Sequence, residues 1–167
     1  MQGNLAATYA KLGRLEEALR MRRDVYSGYV KLHGEEHQET LRAANNHAWG
    51  LFQLERFEEA KALLRKPMRV ARRVFGESRD LTLRMRWAYA RALYEDAGAT
   101  LNDLREAVTT FEEIERTARR VLGSSHPTTE CIEDALRLSR EALRAREGDN
   151  VSALRDLMAA MPPPGSA

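Results

Sequence analysis

The sequence predicts an all-α solenoid of antiparallel helix pairs, about 3.5–4 repeats long with a 42–47-residue period. Three observations carry this reading. Gly34 and Gly76 stand 42 apart, as do Thr40 and Thr82, and Ala18 and Ala60. The next step is 47 for all three: Gly76 to Gly123, Thr82 to Thr129, Ala60 to Ala107. Strand signals are missing, with no sustained apolar alternation and no Asn-Gly hairpin. The repeats divide the chain into units of about 1–36, 37–78, 79–125 and 126–161, with 162–167 read as a disordered tail.

Each unit reads as two helices. From Glu39 to Leu54 the residues Leu41, Ala44, Ala48 and Leu51 recur at helical spacing, and Arg56 to Phe75 continues likewise. Gly34, Gly76 and Gly123 follow long periodic segments, where glycine commonly ends a helix. Pro127 suits a first helical turn. Counting back from Ala18, the first unit lacks its opening turn, which reads as a cut array or an atypical start within a larger protein. The fourth unit is the weakest, resting on the echo of GRLEEAL (Gly13 to Leu19) in GDNVSAL (Gly148 to Leu154).

Small residues explain how the pairs stack. Ala18, Ala60, Ala107 and Ala153 sit early in second helices, and Ala6, Ala48 and Ala90 take matching places in first helices. A Leu at such a site overpacks it by about 1–3 kcal/mol. In the third unit Thr100 is expected to cap a helix with Asp103 completing the cap. Pro67 falls inside a second helix, where it removes a hydrogen bond and should kink it.

Composition narrows the function. The chain has 167 residues, 43% hydrophobic and 31% charged, which argues for a folded domain. Lys+Arg 27 against Asp+Glu 25 leaves +2, too little for general nucleic-acid binding. No apolar stretch approaches the ~20 residues of a membrane span. The start, MQGNLAATYAKLG, reads as neither a signal nor a transit peptide. A single cysteine, Cys131, suits a reducing, cytoplasmic setting and is expected to be a small buried residue.

Catalytic patterns fail on inspection. His33-Gly-Glu-Glu-His37 spells an H-x-x-E-H motif, which needs both histidines on one continuous helix to hold zinc. Gly34 is a junction glycine, so the repeat places a helix break inside the motif. His47 and His126 read as structural. No Gly-x-x-x-x-Gly-Lys loop or Gly-x-Gly-x-x-Gly fingerprint occurs. Glu16-Glu17 and Glu58-Glu59 complement helix dipoles. No enzyme, cofactor or metal site is expected.

The residues resemble a known repeat. GSSHPTT (Gly123 to Thr129) before a first helix, NNHA (Asn45 to Ala48) within one, and GRLEEA (Gly13 to Ala18) with ERFEEA (Glu55 to Ala60) entering second helices are similar to the tetratricopeptide repeat of kinesin light chains. The likeness runs from about Leu5 to Leu157, with RWAYA (Arg86 to Ala90) in place of the double asparagine. It implies a superhelix whose first helices line a concave groove, and a protein-binding scaffold or adaptor role. It also implies a peptide ligand that is acidic with an aromatic anchor.

Periodicity places the groove residues opposite the packing stripe. One row is Arg42, Asn45, Trp49 and Phe52; adding 42 gives Arg84, Trp87, Arg91 and Tyr94. The fourth unit offers Cys131, Asp134, Leu138 and Glu141. Arginines can hold carboxylates bidentately, and tryptophans often dominate binding energy. The bland alternative has both tryptophans packed between first helices and the arginines merely solvated. The run Arg65-Lys66-Pro67-Met68-Arg69 with Arg72-Arg73 reads as a solvated convex face rather than a nucleic-acid or membrane patch. The functional expectation is therefore a noncatalytic module for a protein or peptide partner. The competing expectation is a structural segment that self-associates or stacks through open repeat ends, with an empty groove.

Overall fold

The computed structural model describes residues 2–160, with side-chain surroundings from 5 to 153. The tail assigned to 162–167 lies outside the described residues. Among the described residues seven helices follow in order: α1 Gln2–Lys11, α2 Leu15–His33, α3 Gln38–Gln53, α4 Phe57–Phe75, α5 Asp80–Glu95, α6 Leu101–Leu122 and α7 Pro127–Ala160. Each packs antiparallel on the next, so α1/α2, α3/α4 and α5/α6 form three pairs closed by α7. The all-α helix-pair solenoid is therefore the observed fold.

The recurring junction residues act as couplings between pairs. Gly34, Gly76 and Gly123 end α2, α4 and α6 with φ of 81°, 80° and 93°, a left-handed region costly to residues with a Cβ. Just beyond, buried Thr40 donates its hydroxyl to the Tyr29 carbonyl at 3.2 Å. Thr82 repeats this to the Ala71 carbonyl at 3.4 Å, again eleven residues back. Thr129 donates to the Gly123 carbonyl at 2.8 Å. These threonines tie the start of each first helix to the end of the preceding second helix. The sequence period is thus a period of hydrogen bonds.

Cap chemistry sets the helix starts. His37 precedes α3 and its Nδ1 accepts the Glu39 N–H at 3.2 Å. His126 does the same for Thr128 at 3.2 Å. Thr100 and Asp103 form the expected capping box at α6. Pro67 is buried and α4 runs through it. The turn before α4 keeps the conformation of its earlier copy, with Glu55 held at φ 56° where Gly13 stands at φ 76°.

One expectation about the fourth unit is corrected. Gly148 opens no second helix; α7 is continuous over 34 residues, and Ala153 is exposed rather than packed. The reason lies on the outer face of α7. In α3, Leu41, Ala44, Ala48 and Leu51 share a core with Ala60 and Leu64 of their own second helix. At the same repeat positions α7 carries Glu130, Glu133, Arg137 and Arg140. A folded-back helix would have to bury those charges, at several kcal/mol for each ion, whereas one glycine inside a helix costs only about 1 kcal/mol. The opposite face of α7 keeps the repeat pattern, with Thr129, Ile132, Ala135, Leu136 and Ser139 buried against the preceding pair. Among the described residues the array has three helix pairs followed by a single helix with a polar outer face.

Candidate groove between the first helices

Helix contacts define the inner side of the solenoid. Among the described residues the backbones of α3 and α5, and of α5 and α7, pack closely, whereas α4 and α6 meet through the longer Lys61–Asp103 ion pair at 3.4 Å. The first helices therefore crowd together on the concave side, and the crevices between them are where a ligand would lie.

Between α3 and α5 lies a polar cavity of about 440 Å³. It is lined by Gln38, Arg42, Asn45 and Asn46 from α3 and by Arg79, Asp80 and Arg84 at the start of α5. Arg42 reaches Glu39 at 3.3 Å and Arg84 reaches Asp80 at 2.9 Å, each an exposed pair within its own helix. Among the described residues the side chains of Gln38, Asn45, Asn46 and Arg79 make no hydrogen bond or ion pair. The cavity is thus rich in uncommitted donors.

Between α5 and α7 lies a second cavity of about 610 Å³ with a different character. Leu83, Trp87, Val121, Leu122 and Ile132 give it apolar walls, and Cys131 stands at its side. Cys131 is exposed, which corrects the expectation of a buried thiol; it occupies the groove side of α7, away from Ile132 and Ala135 in the core. The indole N–H of Trp87 is buried without a hydrogen-bond partner. Arg79, Asp80 and Arg84 line both cavities, so the start of α5 forms the wall between them.

The two predicted rows divide into three groups. Arg42, Asn45 and Arg84 come together in the polar cavity. Trp49, Trp87 and Arg91 form a cluster across α3 and α5: the Arg91 guanidinium lies 5.9 Å from the Trp49 ring and 5.4 Å from Trp87, and its Nε donates to Glu95 at 2.8 Å. Trp49 is 46% exposed, and Trp87 is partly buried in the core. Phe52 and Tyr94 lie deeper in the structure. Phe52 is only 6% exposed beneath Arg91, and Tyr94 packs edge-on against Phe111 at 5.8 Å. Both follow directly on the apolar stripe, after Leu51 and Leu93, so Phe52 joins the core and Tyr94 is partly buried against it. Burial and the adjacent Glu95 push the Tyr94 hydroxyl up to about 12, so it stays protonated and donates to Glu95.

Other charged features resolve into structure. On α4 three basic residues are matched by neighbours, Lys66 with Glu35, Arg72 with Glu77 and Arg73 with Glu36, while Arg69 makes no ion pair among the described residues. His33 ends α2 and His37 precedes α3, so the H-x-x-E-H run spans a helix break and its imidazoles stack at 4.4 Å. Among the described residues no group of three or more His, Cys, Asp or Glu could hold a metal ion. No helix among them is long and apolar enough to cross a membrane.

Sequence reasoning missed two features. Arg86 is 1% exposed, paired with Glu113 and Glu77, at a position where α3 has Ala44. The apolar cavity at Leu83 and Ile132 combines residues from three helices, which no single-helix period reveals.

Comparison with known proteins agrees with this architecture. The tetratricopeptide-repeat family model matches residues 1–66. No curated protein matches the chain in sequence. A solved structure described as Podosopora anserina putative kinesin light chain nearly identical TPR-like repeats is 22% identical, with a TM-score of 0.77, covering 95% of this chain and 72% of that one. A variant of the same protein gives a TM-score of 0.78 at the same identity and coverage. BtubC (BKLC) from P. vanneervenii is 18% identical with a TM-score of 0.71, covering 99% of this chain and 66% of that one. Folds of this kind generally serve as protein-interaction or scaffold modules and are typically noncatalytic. The chain shares the tetratricopeptide helix-pair solenoid of these kinesin-light-chain-like repeat structures along nearly its whole length.

Proposed function

We infer that this chain is a noncatalytic protein-interaction module that holds an extended acidic peptide or protein segment in the groove between its first helices. The observation that supports the reading most is the pairing of two cavities on either side of α5. One is polar and lined by arginines, the other apolar, and they share Arg79, Asp80 and Arg84. An acidic side chain suits the first, and an aromatic or large aliphatic anchor suits the second. Arg42, Asn45 and Arg84 are the proposed polar contacts, with Trp87 in the apolar cavity and exposed Trp49 on α3 beside the Arg91 cluster. Arg91 contributes by fixing the rings. Phe52 and Tyr94 support the groove from below. A cytoplasmic setting fits the single exposed thiol of Cys131.

The test is retention of acidic, tryptophan-containing peptides by the purified chain and by Arg42→Glu with Arg84→Glu. Reversing two exposed charges should abolish retention while helicity and melting persist. Retention equal to that of the parent chain would remove the polar cavity from the binding site.

A second reading is a structural segment that packs through an open end. It is favoured by Leu5 on α1 and Leu12 in the turn after it, which are 47% and 68% exposed. Concentration-dependent mass, lost on Leu5→Glu with Leu12→Glu, would support it. The charged exterior of α7 argues against the same behaviour at the other end.

A further inference from the structure

We propose that the polar cavity between α3 and α5 is a phosphoryl-binding site, and that the segment held in the groove carries a phosphorylated side chain. This rests on the peptide-binding reading and specifies its anion.

Positive charge is balanced unevenly around the solenoid. On α4, Lys66, Arg72 and Arg73 are each matched by a glutamate from a neighbouring loop. In the α3/α5 cavity, Arg79 has no partner among the described residues. Arg42 and Arg84 have only Glu39 and Asp80, one turn away on their own helices and open to solvent. Such exposed pairs are weak and readily exchanged.

The resident carboxylates also discriminate between ligands. An incoming Asp or Glu can use the uncommitted donors, but against Arg42 or Arg84 it only replaces Glu39 or Asp80 with an equal charge. A phosphomonoester carries about −1.5 to −2 charges and three strong acceptor oxygens. It can therefore outcompete both resident groups and engage guanidiniums arriving from two helices. The geometry supplies them, with Arg42 from α3 and Arg79 and Arg84 from α5. Asp80 is the only acidic residue in the lining, and Glu39 stands beside it through Arg42. Asn45 and Asn46 add neutral donors from the same wall.

The experiment uses the full chain immobilised at fixed ionic strength and three degenerate peptide libraries that differ at one fixed position: phosphoserine, glutamate or serine. The phosphoserine library should be retained at least about tenfold over the glutamate library. That preference should vanish in Arg79→Ala with Arg84→Ala, whose circular dichroism and melting should match the parent because both side chains are exposed. Equal retention of phosphoserine and glutamate would overturn the phosphoryl assignment and leave the acidic-peptide reading standing. Retention of none of the libraries would overturn both. A phosphoserine preference that survives the double variant would place the phosphoryl group elsewhere and overturn this site.

Discussion

The guanidinium of Arg91 on α5 lies 5.2 Å from the ring centre of Phe52 on α3, so a cation from one repeat covers the aromatic edge of another repeat's core. Trp49 and Trp87 flank the same group, and Glu95 accepts from its Nε. Cation–ring contacts of this kind contribute about 0.5–2 kcal/mol depending on desolvation. Arg91→Ala should lower stability by about 1–2 kcal/mol in urea unfolding followed by tryptophan fluorescence. Arg91→Lys should recover only part, since an ammonium cannot lie flat on three rings. An alanine variant as stable as the parent would show that the cluster contributes no stability.

Opposite substitutions should stabilise one turn position and one helix position. Glu55 holds a left-handed φ of 56° at the place where the earlier repeat has Gly13. That conformation costs a side chain about 1–2 kcal/mol, so Glu55→Gly should raise stability by roughly half to all of 1 kcal/mol after glycine's own entropy cost. Gly148, by contrast, sits inside α7 with no atom close to where a Cβ would stand. Gly148→Ala should stabilise by up to about 1 kcal/mol. Destabilisation by Gly148→Ala would point to a turn there in solution, and so to a folded-back second helix.

His47 gives the protein a pH dependence. Burial lowers its pKa below the usual 6.5, and Arg23, Arg56 and Arg22 push the same way against Glu59. Its Nδ1 is buried without a partner, and the Tyr26 ring lies 6.3 Å away. The unfolded chain therefore binds the proton more tightly than the folded one. The stability from keeping His47 neutral is fully present above about 6.5 and is lost as pH falls through that value towards the lower folded pKa. Denaturation midpoints of the parent should drop over this range more steeply than those of His47→Gln. Parallel curves would mean that another group is responsible.

Arg86 tests what a buried charge contributes. Its side chain is enclosed, while Glu113 and Glu77 remain about half open to water. Removing a partner leaves a buried cation poorly compensated, and replacing the cation with an apolar side chain removes the desolvation cost. Glu113→Ala should destabilise by roughly 1–3 kcal/mol, discounted for that carboxylate's exposure. Arg86→Met should be close to neutral. If the methionine variant is the worse of the two in chemical denaturation, the ion pair is net stabilising.

Much of the architecture was legible because the repeat is written in residues with one physical job each. Gly34, Gly76 and Gly123 supply a backbone conformation, and Thr40, Thr82 and Thr129 supply one buried hydrogen bond. The site was legible only in part. Arg42, Asn45 and Arg84 fall where periodicity placed them, but Phe52 and Tyr94 sit at the boundary of two helical faces, where a few degrees of rotation decide between groove and core. The end of the array could have been found: stepping 89 residues from Leu41, Ala44, Ala48 and Leu51 gives Glu130, Glu133, Arg137 and Arg140. Local similarity around Gly148 was a weaker signal than this change from apolar to charged, because it ignored what the second helix would have to cover.

The charged exterior of α7 also gives the molecule a direction for construction. Units grafted between Leu122 and Pro127 would meet the apolar surfaces they need on both sides and lengthen a single rod. A second copy fused after α7 would meet an ionised wall, and the two halves should tumble independently like beads on a string.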